Sequence, residues 1–145
     1  MLAPPLRTMN ERPAQSSAPQ PISMKLADLL GKWSLLEPDR CQYTSDPDFD
    51  EPWYTIFFQN GKAHIEFKRA TQEDHALLQA AIQKTVESKG WLWSILYSSK
   101  GVYRAGVKIA ERYISETAHY PAYALLAAYL KAIQMAQSSA DDSNP

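Results

Sequence analysis

The chain has little cysteine, little glycine and no long apolar segment. Its 145 residues include one cysteine, Cys41, and five glycines. One cysteine cannot form an internal disulfide or supply a thiolate zinc cluster, and this favours a reducing compartment, so we expect a cytoplasmic protein. The longest apolar run, residues 122–130, is about half of the roughly 20 residues that a membrane-spanning helix needs. We therefore expect a soluble protein that makes no membrane contact.

The chain also has little net charge, because 15 basic residues nearly balance 16 acidic ones. The formal net charge is -1 at pH 7, which argues against general binding to polyanions. With 45% hydrophobic and 21% charged residues, the composition is that of an ordinary globular protein, and the length suits one domain. We predict a single domain over residues 23–137, preceded by a disordered proline-rich segment at residues 1–22 and followed by a flexible tail at residues 138–145.

In the first half of the chain, local patterns predict a short helix, a loop and a hairpin. The helix begins at Ser23 and stops at Gly31, and residues 37–52, rich in proline and aspartate, form a long loop. The dipeptide Asn60-Gly61 favours a type I′ turn between strands at residues 53–59 and 62–69. The register predicted from this turn pairs Phe58 with Ala63, Ile56 with Ile65 and Tyr54 with Phe67.

In the second half, the patterns predict helix, strand, strand and helix. Thr71 and Asp74 begin a helix that Gly90 ends, strands follow at residues 91–98 and 102–113, and Pro121 begins an apolar helix over residues 121–137. The predicted fold is α+β, with an antiparallel sheet of about four strands from two hairpins and two main helices packed on it, as in an alpha-beta-alpha sandwich. The first hairpin either extends the second or forms a separate layer.

Several residues of the second half give the chain a family resemblance. They are Gly90, the run Trp91-Leu92-Trp93, the strand residues Tyr103, Ala105 and Val107, and Pro121 with Ala124, Leu125, Leu126, Ala128, Leu130, Lys131 and Ala132. In these residues the chain resembles the phage ABA sandwich domain, a family named for its alpha-beta-alpha layers. The resemblance implies that fold and a phage or prophage setting. It implies no activity and no site residues.

Residue types that bind metals are dispersed along the chain. Asp46, Asp48 and Asp50 occupy the spacing of a calcium loop, but Glu51 stands where the turn needs glycine and Phe57 where the closing glutamate belongs. We therefore interpret this region as a solvated loop, with a weak cation site as the alternative. The sequence predicts no metal site and no cofactor.

Catalytic groups show no convergent pattern either. His64, His75 and His119 have no short ligand spacing, and surface or capping roles are favoured. His119 precedes the last helix, whose backbone donors offer an alternative anion site. Cys41 has no ordered triad partners, and a carboxylate cluster of Asp74, Glu111 and Glu116 is less favoured than three exposed acids. We predict that the protein is not an enzyme.

The remaining prediction concerns surfaces for partners. Arg104, Lys108 and Arg112 share one face of a strand predicted over residues 102–113, and aromatic side chains lie nearby. We predict a non-catalytic interaction protein that binds a protein partner or itself, with weak nucleic-acid binding through the basic strand face as the alternative. The candidate surface comprises Trp53, Phe57, Trp91, Trp93, Arg104, Lys108 and Arg112.

Overall fold

The computed structural model of the chain describes residues 25–48, 52–58, 61–68, 70–98 and 100–142, with residues 139–142 described by their backbone alone. Within these ranges the chain is α+β, with three helices and six strands. In chain order they are α1 (Leu26–Leu36), β1 (Cys41–Thr44), β2 (Trp53–Phe58), β3 (Gly61–Glu66), α2 (Gln72–Ser88), β4 (Leu92–Ser98), β5 (Val102–Ile109), β6 (Arg112–Ala118) and α3 (Pro121–Asp142). The predicted disordered segment at residues 1–22 lies outside the described residues.

The first sheet has the strand order β1-β2-β3 and is antiparallel throughout. β1 lies within the stretch predicted to be a loop, and that prediction is wrong there. Cys41 is fully buried and pairs with Ile56, so this short segment completes the inner face of the sheet. The surrounding proline and aspartate obscure it in the sequence, because β1 has only four residues and long-range pairing stabilises it.

The hairpin of β2 and β3 is present, but its predicted register is wrong by two residues. Ile56 pairs with Ala63 rather than with Ile65. Residues 59–60, and with them part of the predicted Asn60-Gly61 turn, lie outside the described residues. Because side chains alternate between faces with a period of two, a two-residue shift leaves every side chain on its predicted face. The predicted inner face is indeed the one that is buried.

Helix α1 does not stop at Gly31 as predicted but continues to Leu36. The continuation buries Trp33 completely, and its ring packs edge to face on Tyr129 with ring centroids 5.8 Å apart. Burying such a side chain is worth about 2–3 kcal/mol, which exceeds the roughly 1 kcal/mol cost of glycine within a helix. The predicted cap residue Ser23 lies outside the described residues.

Helix α2 confirms its sequence signals. Thr71 Oγ1 accepts a hydrogen bond from the Asp74 backbone at 3.2 Å, and Asp74 Oδ2 accepts one from the Thr71 backbone at 2.9 Å, which completes a capping box. After the helix, Gly90 adopts a left-handed conformation with φ of 75°, which glycine accommodates without strain.

The second sheet has the strand order β4-β5-β6 and is also antiparallel. The prediction of one continuous strand over residues 102–113 is wrong, because the chain turns back at Ala110 and Glu111 and Ile109 pairs with Arg112. Ala110 has a φ of 54°, a conformation that turns usually assign to glycine or asparagine. Since neither is present, the sequence carries no signal for this hairpin.

The helices lie between the two sheets. Helices α1 and α2 pack on the first sheet, and α3 packs on the second. Helix α2 also contacts β4, and α3 contacts both other helices. This sheet–helix–sheet order is the reverse of the alpha-beta-alpha order that the resemblance implies. Two sheets with three helices between them are present, where the sequence predicted one sheet with two helices packed on it. The first hairpin belongs to a separate layer, which was one of the two alternatives.

Helix α3 is buried around most of its circumference because it has the second sheet on one side and two helices on the other. Its apolar composition is thereby explained within the chain, so this helix no longer supports an exposed partner surface. The helix extends to Asp142 rather than to Gln137, and residues 138–142 of the predicted tail are helical. The tail beyond residue 142 lies outside the described residues.

Candidate interaction surface

One face of the second sheet packs on α3, and the other face has no described helix or strand over it. We call this second face the open face. Strand alternation and the ladder registers assign it Leu92, Ser94, Leu96 and Ser98 from β4, Val102, Arg104, Gly106 and Lys108 from β5, and Tyr113, Ser115 and Thr117 from β6.

Large apolar side chains on the open face are unusually accessible. Leu92 has 65% of its surface exposed, Leu96 has 61% and Tyr113 has 54%. A sheet with one solvated face normally presents polar side chains on that face. The combination of two leucines and a tyrosine in one exposed patch is instead typical of a surface that binds a partner.

Tyr113 lies across the centre of the open face. A Cβ atom added to Gly106 would be 2.1 Å from the Tyr113 hydroxyl oxygen and 2.2 Å from Cζ, so the ring occupies the space above this glycine. Its hydroxyl forms a hydrogen bond of 3.1 Å with Ser94 Oγ on β4. The glycine therefore serves to admit an aromatic ring that spans all three strands, a pairing known from other sheets.

The open face carries positive charge only. Lys108 pairs with Leu92 across the ladder, and Arg104 pairs with Leu96. Neither cation forms an ion pair within the described part of the chain, and no carboxylate lies on this face. Since the two cations are four residues apart on one strand, they are separated by about 13 Å. The open face thus has one leucine–cation pair on each side of the Tyr113 ring.

The other predicted surface residues do not join this patch. Trp93 pairs with Val107, so it faces the helices, where its indole nitrogen donates to Glu87 at 2.8 Å. Trp91 packs on Tyr129 of α3 and is half-buried. The expectation that these tryptophans lie beside the basic residues is therefore wrong.

The predicted basic stripe is also divided. Arg112 pairs with Ile109 in the turn between β5 and β6, which places it on the opposite face from Arg104 and Lys108. Sequence periodicity predicts that β5 continues through Arg112, but the chain reverses at Ala110 and Arg112 therefore lies on the other face of the sheet. Two of the three predicted cations remain together.

Trp53 and Phe57 lie on the outer face of the first sheet and are half-buried. The Trp53 ring lies 5.9 Å from the His64 ring, and the side chains of this face cover Thr55, which is 5% exposed. This face is distinct from the open face of the second sheet. The structure thus distributes the seven predicted residues over separate surfaces.

Sequence reasoning missed Leu92, Leu96 and Tyr113. In β4 both alternating sets contain large apolar side chains, so the pattern alone does not reveal which set faces water. Tyr113 was missed because β6 was not recognised as a strand. The available signal was the small residue Gly106 within β5, which indicates close approach of another group.

A partly buried cluster of polar groups is centred on Glu37, just after α1. Its Oε1 accepts hydrogen bonds from Trp33 Nε1 at 3.0 Å and from the Tyr129 hydroxyl, and its Oε2 lies 3.0 Å from Lys89 Nζ. Arg40 is 3.7 Å from the same oxygen. The carboxylate therefore connects the ends of α1 and α2 to the middle of α3.

The protonation of this cluster follows from its contacts. Burial alone would raise the pKa of Glu37, but hydrogen bonds from Tyr129, Trp33 and Lys89 together hold its pKa below the usual value. Burial and the bond to Glu37 raise the pKa of Tyr129. Glu37 is thus a carboxylate whose two oxygens are both engaged by the protein, an arrangement that braces three helices.

The predicted catalytic candidates do not converge. Burial, with a smaller contribution from Glu37, raises the pKa of Cys41 to about 12, so its thiol stays protonated at neutral pH. Asp74 belongs to the capping box of α2, while Glu116 pairs with Lys131 at 3.9 Å. Glu111 lies in the exposed turn before β6. The predicted alternative of a carboxylate cluster is therefore wrong.

The three histidines lie apart. His64 approaches Thr55 Oγ1 at 3.5 Å, and His119 approaches the Gly101 carbonyl at 3.4 Å. His75 packs between Tyr120 and Tyr123, and its Nε2 is 3.3 Å from the Tyr123 hydroxyl oxygen. Burial lowers the pKa of His75, which Asp74 partly opposes.

No group of three or more metal-ligating side chains occurs among the described residues. Of the predicted aspartate series, Asp46 accepts a hydrogen bond from the Asp48 backbone at 2.9 Å, while Asp50 lies outside the described ranges. None of the described helices has both the length and the apolar character to cross a bilayer. Comparisons of the chain with protein-family models, with curated proteins and with solved structures found no match.

Proposed function

We propose that the protein is a non-catalytic interaction module that binds a partner protein through the open face of the second sheet. The observation that supports this proposal is the exposure of Leu92, Leu96 and Tyr113 beside two cations that form no ion pair with any described residue. Apolar side chains at the centre of an interface supply most of the affinity, and charges at its rim supply orientation.

The charges on the open face define the partner's chemistry. Because Arg104 and Lys108 lie on this face without a carboxylate among its described residues, a complementary surface carries apolar side chains between two carboxylates about 13 Å apart. The layer order of the fold is the reverse of the alpha-beta-alpha order that the resemblance to the phage ABA sandwich domain implies, so the charges and apolar side chains of the open face, rather than the resemblance, define the partner.

Weak nucleic-acid binding through the same two cations is the second candidate. It is favoured because no strand residue described on the open face is a carboxylate. Two phosphate contacts would give a slope of only about -1.4 to -1.8 for the logarithm of affinity against the logarithm of salt concentration. A protein partner is the stronger proposal because the leucines contribute nothing to phosphate binding.

Site-specific photo-crosslinking in the source cell tests the proposal. A photoreactive amino acid is placed at Leu96 on the open face, and the matched control carries it at Leu35, which is 84% exposed on α1. We expect a protein adduct from position 96 that is absent from position 35. Adding Arg104→Glu and Lys108→Glu should weaken binding about thirtyfold and lower the adduct yield accordingly, since two charge contacts on the order of 1 kcal/mol each are lost.

The adducts distinguish the candidates. An adduct that nuclease digestion removes would replace the protein partner with nucleic acid. Equal protein adducts at positions 35 and 96, or a yield unaffected by reversal of both charges, would refute the open face as the binding surface. Adducts formed solely between two copies of this chain would also refute a separate partner.

A further inference from the structure

The outer edge of β4 is an exposed strand edge without the usual protection. Among the described strands, only β5 pairs with β4. The strand has seven residues with no charge, no proline and no glycine. Three of its side chains are highly exposed: Leu92 at 65%, Tyr97 at 63% and Leu96 at 61%. Such an edge presents unpaired backbone groups to any other strand, and proteins normally block it with lysine, proline or a bulge.

The other sheet edges are protected in these usual ways. β6 contains Arg112 and Glu116, and β3 contains Lys62 and Glu66. β1 has only four residues. Within the described sheets, β4 is therefore the one long, uncharged edge. Its difference from the charged or short edges β1, β3 and β6 indicates that β4 pairs with another strand.

We propose that β4 pairs antiparallel with β4 of a second copy of this chain. A two-fold symmetric interface requires a self-complementary surface, and residues 91–97 have one. Residues at equal distances before and after Ser94 are of similar type. The nearest pair is apolar (Trp93 and Ile95), the next is two leucines (Leu92 and Leu96), and the third is aromatic (Trp91 and Tyr97).

The symmetric register follows from this pattern. Centred on Ser94, it places Leu92 opposite Leu96 of the second copy on the open face, and Trp93 opposite Ile95 of the second copy on the helix-facing side. Both faces thus match apolar with apolar, and no like charges meet. The three-stranded sheets join into one six-stranded sheet, in which the open face of each copy continues into that of the other. This pairing uses the strand edge and does not depend on the proposed partner protein.

Charge-swap variants of the full chain test the pairing and its register together. We expect sedimentation velocity to show a twofold increase in mass with rising concentration. Leu92→Lys with Leu96→Lys should leave a monomer, because like charges then face each other at two positions. Leu92→Glu with Leu96→Lys should restore the dimer and make it salt-sensitive, since opposite charges face each other. Leu35→Lys, the same change on α1, should have no effect.

Three results of this experiment would overturn the proposal. The first is a wild-type chain that stays monomeric at every concentration. The second is a dimer that survives in the Lys/Lys variant. The third is dissociation of both double variants while circular dichroism shows that they remain folded, because the register then does not bring these positions together.

A disulfide trap checks the axis directly. Residues paired across antiparallel strands have Cα atoms about 4.5–5.5 Å apart, within the range that a disulfide spans. Ser94→Cys with oxidised glutathione should therefore give a covalent dimer. Because Cys41 is fully buried, the wild-type chain measures the background rate of covalent dimer formation. Ser45→Cys is the control for an exposed thiol outside β4. Covalent dimer that forms no faster with Ser94→Cys than with Ser45→Cys would exclude the Ser94-centred pair.

Discussion

Replacing Glu37 with glutamine should destabilise the fold by about 2–3 kcal/mol at neutral pH. The amide oxygen still accepts hydrogen bonds from Trp33 and Tyr129, but a bond to a neutral acceptor is worth about 1 kcal/mol less than one to a charged acceptor. Two such bonds therefore lose about 2 kcal/mol. The amide nitrogen would also face Lys89, at 3.0 Å from Oε2 in the wild type. That partly exposed ion pair adds up to about 1 kcal/mol. The neutral amide also avoids the cost of burying a charge, which offsets part of these losses.

The loss should depend on pH in a defined direction. Hydrogen bonds from Tyr129, Trp33 and Lys89 outweigh burial and lower the folded-state pKa of Glu37, whereas the unfolded chain has the ordinary value of about 4.3. The unfolded state thus binds a proton first as pH falls. The stabilisation is fully present above the unfolded-state pKa and is lost as pH falls through the folded-state pKa. The wild type and Glu37→Gln should therefore become similar in stability in acid.

Urea unfolding followed by tryptophan fluorescence at a series of pH values measures the difference. Glu87→Gln is the matched control, because Glu87 also accepts an indole hydrogen bond, at 2.8 Å from Trp93 Nε1, but lies on the surface. We expect this control to change stability by less than about 0.5 kcal/mol. Equal effects of the two substitutions, or a Glu37→Gln loss that does not diminish in acid, would refute the view that Glu37 braces the helices as a carboxylate.

Three further substitutions test local features by the same unfolding assay. Thr71→Ala should cost about 1 kcal/mol by removing the capping box, and a loss near zero would contradict that role. Ala110→Gly should stabilise by about 0.5–1 kcal/mol by relieving the φ of 54°, whereas the same change at Ala76 within α2 should destabilise. Gly106→Ala should displace the Tyr113 ring at a cost below about 1 kcal/mol, because the clash involves the end of an exposed side chain. A larger cost that persists in a Tyr113→Ala background would show that the ring is not what the new methyl group meets.

How much of the fold was predictable depended on the range of the interactions involved. The capping box at Thr71 and the left-handed Gly90 were predictable because each is stabilised by neighbours in the sequence. The end of α1 was not predictable, because the burial of Trp33 against Tyr129 decides it and these residues are distant in the chain. The same holds for β1, which is stabilised by pairing with β2.

The candidate surface was only partly predictable, for a related reason. The alternation in β5 correctly placed Arg104 and Lys108 on one face. It failed for Arg112 because the turn at Ala110 lacks the residue types that mark turns. The exposure of Leu92 and Leu96 was hidden because β4 carries large apolar side chains on both faces, and only the position of α3 determines which face is dry.

By itself the sequence determined the period of β2, β3, β4 and β5, and with it the two sets of side chains that each of these strands separates. Even a register error of two residues in the first hairpin left those sets unchanged, because the alternation has the same period. The tertiary structure alone decided which set meets the helices and which remains uncovered. That choice depends on where three helices pack between two sheets, and the packing joins residues too far apart in the chain for any local pattern to record.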